Sequence, residues 1–255
     1  MPLSVVLITR NAAAQLPDCL ASVAFADEVV VVDSGSSDGT ADLAAHYGAR
    51  VVQKEWLGFG RQKQFAVEQA AHDWVLCLDA DERVSPELAA SLVRALAAPA
   101  APVYRMARRN RFLGRWLRHG EGYPDWSLRL FDRRQARWSD DAVHEKVLHA
   151  ASPATPLGTL TGDLLHESAE DLGRYLDKQN RYSTLAAEEL HRQGRRAGVA
   201  ELALSPLVRF VKFYFFRLGC LDGMPGLAHI SVGCMNSFLK YAKLIELQKA
   251  AGRRV

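Results

Sequence analysis

Aliphatic runs recur along the first third of the chain, and most end on a polar residue. Leu3 to Ile8 is apolar apart from Ser4 and long enough for one buried strand. Thr9-Arg10-Asn11 follows as a loop, and Leu16, Leu20 and Val23 then fall on one face of a helix. Val29 to Val32 reads as a second strand ending in Asp33, and Ser34 to Thr40 supplies turn and cap residues. Next come a helix to about Tyr47, a short strand at Arg50 to Gln53 and a Gly58-Phe59-Gly60 loop. A helix from Arg61 to about Ala71 and a strand from Trp74 to Leu78 complete the series. Strands alternating with helices predict βαβ units and a largely parallel sheet.

The last of these strands runs into Asp79-Ala80-Asp81. In an open α/β sheet, ligands bind beyond the carboxyl ends of the strands. This strand therefore delivers two carboxylates to such a crevice. Carboxylate oxygens suit hard cations, and Mg²⁺ binds through one or two carboxylates plus substrate phosphates. A solvated turn accounts for one aspartate of this kind. It accounts poorly for Thr9, Asp33 and the Asp79–Asp81 pair, which end three strands along one edge.

Composition narrows the class. The chain has 255 residues, enough for one large domain or one domain with an appendage, and its 49% apolar fraction is that of a globular protein. A net charge of +3 is too small to imply nucleic acid. Cys19, Cys77, Cys220 and Cys234 form no Cys-x-x-Cys pair and no zinc spacing, so ordinary thiols in a reducing compartment are expected, with Cys77 buried. The N-terminus lacks a basic region and cleavage site, so no signal peptide is expected. No apolar stretch is long enough for a spanning helix.

Three stretches carry a resemblance: Leu3 to Ala12, the Asp33-Ser-Gly-Ser-Ser-Asp-Gly-Thr40 run, and Leu78-Asp-Ala-Asp-Glu82. Together they resemble the inverting family-two glycosyltransferases of GT-A fold. Trp56 to Gly60, Arg129-Leu130-Phe131 and Val143-His144-Glu145 are similar to a narrower bacterial branch that includes lipopolysaccharide core glucosyltransferases. The resemblance implies an α/β, Rossmann-like, mostly parallel sheet flanked by helices. A GT-A domain is expected over 1–200, with a C-terminal amphipathic helical extension over 201–255. Many relatives carry Glu after the first-loop asparagine, where this chain has Ala12.

The resemblance also implies a UDP-sugar donor and a Mg²⁺ or Mn²⁺ ion. Asp33 would accept from a uracil imide, and Thr9, Arg10 and Asn11 would hold base and ribose. Asp79 would reach the ribose or the metal, and Asp81 would ligate the metal between the phosphates. Lys63 is a candidate phosphate contact or a solvated helix lysine. His166 is a candidate further metal ligand or a structural histidine. An inverting transfer needs a carboxylate to take the acceptor's proton. Glu121, Asp125, Asp140, Asp141 and Glu145 are available; family position favours Glu145, with Asp125 as the alternative.

The segment Tyr104 to His119 holds six arginines, no acid, and interleaved Phe112 and Trp116. Arginine grips phosphate bidentately, so a phosphorylated or membrane-associated acceptor is expected there, against a solvated charge run or a nucleic-acid groove. Beyond Asp171 the pattern is helical. Pro206 is expected to open an apolar helix to Leu218, with Arg209, Lys212 and Arg217 on one side. Asp222 to Gly226 would break it before a second helix from about Leu227 to Lys249. This pair reads as an anionic membrane surface contact, or as packing on the core or on a second copy. The expectation is a cytoplasmic hexosyltransferase, peripheral at the inner face of the membrane, moving glucose to a lipid-linked or lipopolysaccharide-core acceptor. A polyprenyl-phosphate or protein acceptor, or an inactive sugar-nucleotide binder, are the rivals.

Overall fold

The computed structural model describes residues 1–140, 145–149, 156–167 and 171–252. Two compact units are present, one of 1–108 with 126–167 and one of 109–125 with 168–255.

The first unit is built on strands β1 (Leu3–Thr9), β2 (Glu28–Asp33), β3 (Arg50–Gln53) and β4 (Trp74–Asp79). They pair in parallel in the order β3-β2-β1-β4. Helices α1 (Leu16–Ala21), α2 (Thr40–His46) and α3 (Phe59–Gln69) make the crossovers. The mixed half follows: β5 (Glu82–Val84), α4 (Pro86–Ala97), β6 (Val103–Phe112), β8 (Asp125–Asp132) and β11 (Leu157–His166). They extend the sheet as β4-β8-β6-β11-β5, with β8 antiparallel to β4 and β11 antiparallel to β5. Strands β9 (Ala136–Trp138) and β10 (Val147–His149) form a small separate ladder.

Alternation along β1 explains the two cores. Leu3, Val5 and Leu7 face one side, against Leu16, Cys19 and Leu20 of α1 and Leu88, Leu92 and Leu96 of α4. Val6 and the partly buried Ile8 face the other, with Ala66 and Val67 of α3, Cys77, Phe131 and Trp138. A strand buried on both faces reads as a continuous apolar run, which is why β1, β2 and β4 show in the sequence. One glycine has a clear packing reason. Gly162 of β11 has φ +89°, and a Cβ there would meet the Leu88 backbone nitrogen at 2.3 Å, so α4 packs directly on the strand.

The second unit contains β7 (Arg115–Trp116), paired with the end of β6, and helices α5 (Leu172–Arg192), α6 (Val199–Val211) and α7 (Gly223–Gly252). α5 and α6 both pack on α7. The expected boundary at 200/201 falls inside α6. Pro206 does not open a helix; it lies within α6, which starts at Val199. A π-helical turn (Lys212–Phe216) and a 3-10 turn (Gly219–Asp222) follow. Helix α7 then begins at Gly223, because Pro225 in a first turn has no amide that the helix needs.

The arginine-rich stretch is a strand and hairpin, and the side chains of Arg105, Arg108, Arg109, Arg111 and Arg115 each have a partner within the fold. Arg105 lies 4.6 Å over the Trp126 ring, Arg108 pairs with Glu82, and Arg109 and Arg111 donate to backbone carbonyls. Arg115 donates to the Leu221 carbonyl, and the backbone amides of Arg118 and His119 donate to buried Asp222. The three-cation stripe is also altered. Arg209 is partly buried, ion-paired to Glu121 and bonded to Ser237, so Lys212 and Arg217 remain as the exposed pair. The same pair accounts for Glu121, one of the candidate bases.

Candidate active site

Three parallel strands end level with one another. Thr9 stands beside Asp33 across β1 and β2, and Ile8 beside Asp79 across β1 and β4. Loops 9–13 and 33–40 are bonded together. Thr9 Oγ1 donates to Asp33 Oδ2 at 3.1 Å, the Asn11 amide to Ser36 Oγ at 2.8 Å, and the Ser37 amide to Asn11 Oδ1 at 2.9 Å. Asn11 adopts φ 52°, a left-handed conformation that Asn tolerates. The Ala12 amide donates to buried Thr40 at the start of α2, while α1 begins after Gln15 with no side-chain cap. Arg10 is exposed.

Asp33 is 1% exposed, and its two oxygens also accept from the Gly35 and Ser36 amides and the Ser36 hydroxyl. Burial raises its pKa, but these bonds to Ser36 and Thr9 outweigh it and hold the carboxyl below its usual value. As found, Asp33 closes its own loop. A base contact through it requires the Ser36 or Thr9 hydroxyl to turn away, since a carboxylate has about four acceptor positions.

Asp79 carries a cation on each oxygen. Arg129 Nη2 is 2.6 Å from Oδ2, and Lys63 Nζ is 3.1 Å from Oδ1. Burial alone would raise its pKa; Arg129 and then Lys63 reverse that and hold the group far below the usual carboxylate range. Lys63 also lies 3.1 Å from Glu145 Oε1. It is therefore neither a solvated helix lysine nor free for phosphate as found; it bridges two carboxylates. Trp138 lies behind both cations, its ring 4.9 Å from Lys63 Nζ and 5.9 Å from the Arg129 guanidinium carbon. The Trp138 indole donates to Cys77 Sγ, and burial pushes that thiol up to about 11.

Asp81 meets His166 because β5 pairs with the end of β11, with Glu82 opposite His166. Asp81 Oδ2 and His166 Nε2 are 3.3 Å apart. Adjacent ligands of an octahedral cation with bonds of about 2.1 Å stand ~3 Å apart, so the two side chains fit neighbouring positions on one ion. Among the described residues no group of three or more His, Cys, Asp or Glu gathers for a metal. Two protein ligands would leave the other positions to water and substrate phosphates.

Of the remaining candidate bases, Asp140 is exposed and within 3.7 Å of Arg137, and Asp125 opens β8 and belongs to the second unit. Asp141 and His144 lie outside the described residues. Two site residues had no role from sequence, Glu82 and Arg129. Both sat in stretches that carried the family resemblance, which was the only signal available. Glu82 is fully buried, accepts the Asp79 amide on Oε2 at 3.0 Å and binds Arg129 through Oε1 at 2.7 Å.

A family model described as glycosyl transferase family 2 matches residues 4–152. The lipopolysaccharide core biosynthesis glycosyltransferase LpsC of Rhizobium meliloti is 34% identical over 254 residues, 96% of this chain and 93% of that protein. An uncharacterized glycosyltransferase of Rickettsia bellii is 31% identical over 262 residues, with 96% and 86% covered. Among solved structures, S. aureus TarS 1–349 in complex with UDP-GlcNAc is similar with a TM-score of 0.50 at 16% identity, over 93% of this chain and 80% of that one. At that identity the likeness bears on the fold alone, and it is the GT-A fold.

Proposed function

Because the chain belongs to glycosyl transferase family 2, we propose that it is an inverting hexosyltransferase. It takes glucose from UDP-glucose and places it on a lipid-linked saccharide of the lipopolysaccharide-core kind. The observation that most supports this is the meeting of Asp79, Lys63 and Glu145 beside the Asp81–His166 pair, at the level ends of three strands. Thr9, Arg10 and Asn11, with the loop that Asp33 closes, hold the nucleoside. Asp79 would reach the ribose or the metal, and Lys63 would contact the diphosphate on turning from one of its two carboxylates. Glu145 accepts the proton of the attacking hydroxyl, and Asp125 is the alternative. Asp81 and His166 would hold Mg²⁺ or Mn²⁺, which when bound offsets charge on the departing diphosphate. The name of LpsC supports the acceptor class.

The same proposal includes a peripheral site on the cytoplasmic membrane face. Among the described residues no helix is long and apolar enough to cross a membrane. The second unit nevertheless exposes Leu207, Val208, Phe215, Phe216 and Met224, with Phe216 at 80% and Met224 at 69%. Lys212 and Arg217 flank Phe215 and Phe216, an arrangement suited to an anionic lipid surface.

A donor screen tests the reading. Purified full-length protein is given UDP-glucose, UDP-galactose, UDP-GlcNAc or GDP-mannose with Mn²⁺ and a delipidated core acceptor. Sugar transfer from UDP-glucose with inversion at the anomeric carbon is expected. Transfer from another donor alone, or retention, overturns it.

A further inference from the structure

Charged side chains of alternating sign run in one line through the first unit. Glu82 binds Arg129, Arg129 binds Asp79, Asp79 binds Lys63, and Lys63 binds Glu145. Arg129 is at the centre of the buried half. It is 5% exposed, and the same nitrogen, Nη2, meets Asp79 at 2.6 Å and Glu82 at 2.7 Å. A buried guanidinium needs a carboxylate, but one would serve for neutrality. Here a second carboxylate, Glu82, fixes it from behind. Glu82 is itself held, because its Oε2 accepts the Asp79 amide and Arg108 approaches Oε1, the oxygen Arg129 binds, at 3.4 Å. The guanidinium therefore has little freedom to follow Asp79 if Asp79 moves.

Lys63 is shared at the other end of the line. Its ammonium is 3.1 Å from Asp79 and 3.1 Å from Glu145, and its side chain is 8% exposed. What Asp79 draws from Lys63 depends on what Arg129 already supplies. Without the guanidinium, Asp79 has one cation in place of two, and Lys63 is pulled from Glu145 toward it. Arg129 and Glu145 are joined through Asp79 and the shared lysine.

We propose that Arg129, braced by Glu82, is a positioning residue that sets where Glu145 stands, acting through Asp79 and Lys63. The inference rests on the reading of Glu145 as the proton acceptor. It assigns a role to the Arg129-Leu130-Phe131 stretch that the donor-binding account leaves unused.

A double-mutant cycle on the full-length protein tests it, with UDP release from UDP-glucose in the presence of Mn²⁺ and core acceptor as the rate. Arg129→Lys is expected to lower kcat by about 10- to 100-fold, the scale of a displacement near 1 Å, while donor KM changes by less than about threefold. Arg129→Gln should fall further, so that the retained charge counts as partial rescue. In a Glu145→Gln background, Arg129→Lys should cost less than about threefold more, because residues acting as one unit are not additive. Multiplicative losses, or an unchanged kcat in Arg129→Lys, overturn the proposal and leave the base assignment standing. An unaffected Glu145→Gln overturns the base assignment and the proposal together. Circular dichroism checks folding, and if Arg129→Lys does not fold, Glu82→Gln enters the same cycle with the same expected pattern.

Discussion

His229 makes the second unit sensitive to acid. Its ring on α7 lies 5.1 Å from Phe112 and 6.2 Å from Tyr175 between centroids, and its Nδ1 is buried without a hydrogen-bond partner. Burial first, and then the charge of Arg209, lower its pKa from 6.5 to about 4, with Asp125 opposing. A histidine with a depressed folded pKa binds fewer protons when folded than when unfolded. As pH falls through about 6.5 the unfolded chain takes up the proton and the folded one does not, so stability declines until about pH 4. At about 1.4 kcal/mol per tenfold, the full gap is worth roughly 3 kcal/mol, and about 2 kcal/mol of it is lost by pH 5. For a chain of this length that corresponds to about 4–8 °C in Tm. Melts of wild type and His229→Phe followed by circular dichroism at pH 8, 7, 6 and 5 give the comparison. Phenylalanine keeps a ring against Phe112 and Tyr175 and has nothing to protonate. The wild type should lose that much more Tm than the variant between pH 8 and pH 5. Equal losses in the two proteins would refute the reasoning.

Three further outcomes are expected. Glu145→Gln should leave UDP-glucose affinity by calorimetry nearly unchanged and lower kcat by about two to four powers of ten; the same pattern in Asp125→Asn and not in Glu145→Gln reassigns the base. Asp81→Ala should abolish transfer and weaken UDP binding chiefly when Mn²⁺ is present, and a mutant as active as wild type in metal-replete buffer contradicts that. The protein should float with vesicles containing anionic lipid at low salt, less with neutral ones, and less after Lys212 and Arg217 are both changed to Gln. Each cation near such a surface contributes on the order of 1 kcal/mol. Absence of flotation at low salt removes the membrane proposal.

Much of the sheet was readable because its strands are buried on both sides, as at Val5 and Val6, where neighbours face opposite cores. The Asp79–Asp81 pair was readable because it interrupts an apolar run. Glu82 and Arg129 were not, since a buried ion pair is written in the same letters as a surface charge, and only the third dimension brings β8 beside β4. Helices were expected at the C-terminus and are found there, but the single helix from Leu207 to Leu218 is not, for a geometric reason. A projection at 100° per residue assumes one uniform helix from Leu207 to Leu218. The π-helical turn at Lys212–Phe216 changes the angle per residue, and Leu218 leaves helical conformation with φ 55°. Arg217 is thereby displaced from the projected side, and Arg209, in the regular α6 before the turn, is separately drawn to Glu121, so the stripe is divided.

The bonding between the first two strand-end loops constrains how such a protein can diverge. Thr9, Asn11, Ala12 and Ala13 are each tied to Asp33, Ser36, Thr40 or Asp38. A transplant of residues 9–13 alone from a relative keeps the amide bonds of 11–13 but, where Thr9 or Asn11 is replaced, loses the Thr9 hydroxyl bond to buried Asp33 and the acceptor of the Ser37 amide, at about 1–3 kcal/mol for the buried one. The two loops, more than twenty positions apart in the chain, form a single heritable cassette. Recombination that splits them loses stability, whereas moving both together onto the same strands leaves the apolar scaffold undisturbed. Donor choice, in so far as these loops set it, is therefore expected to change by exchange of the pair.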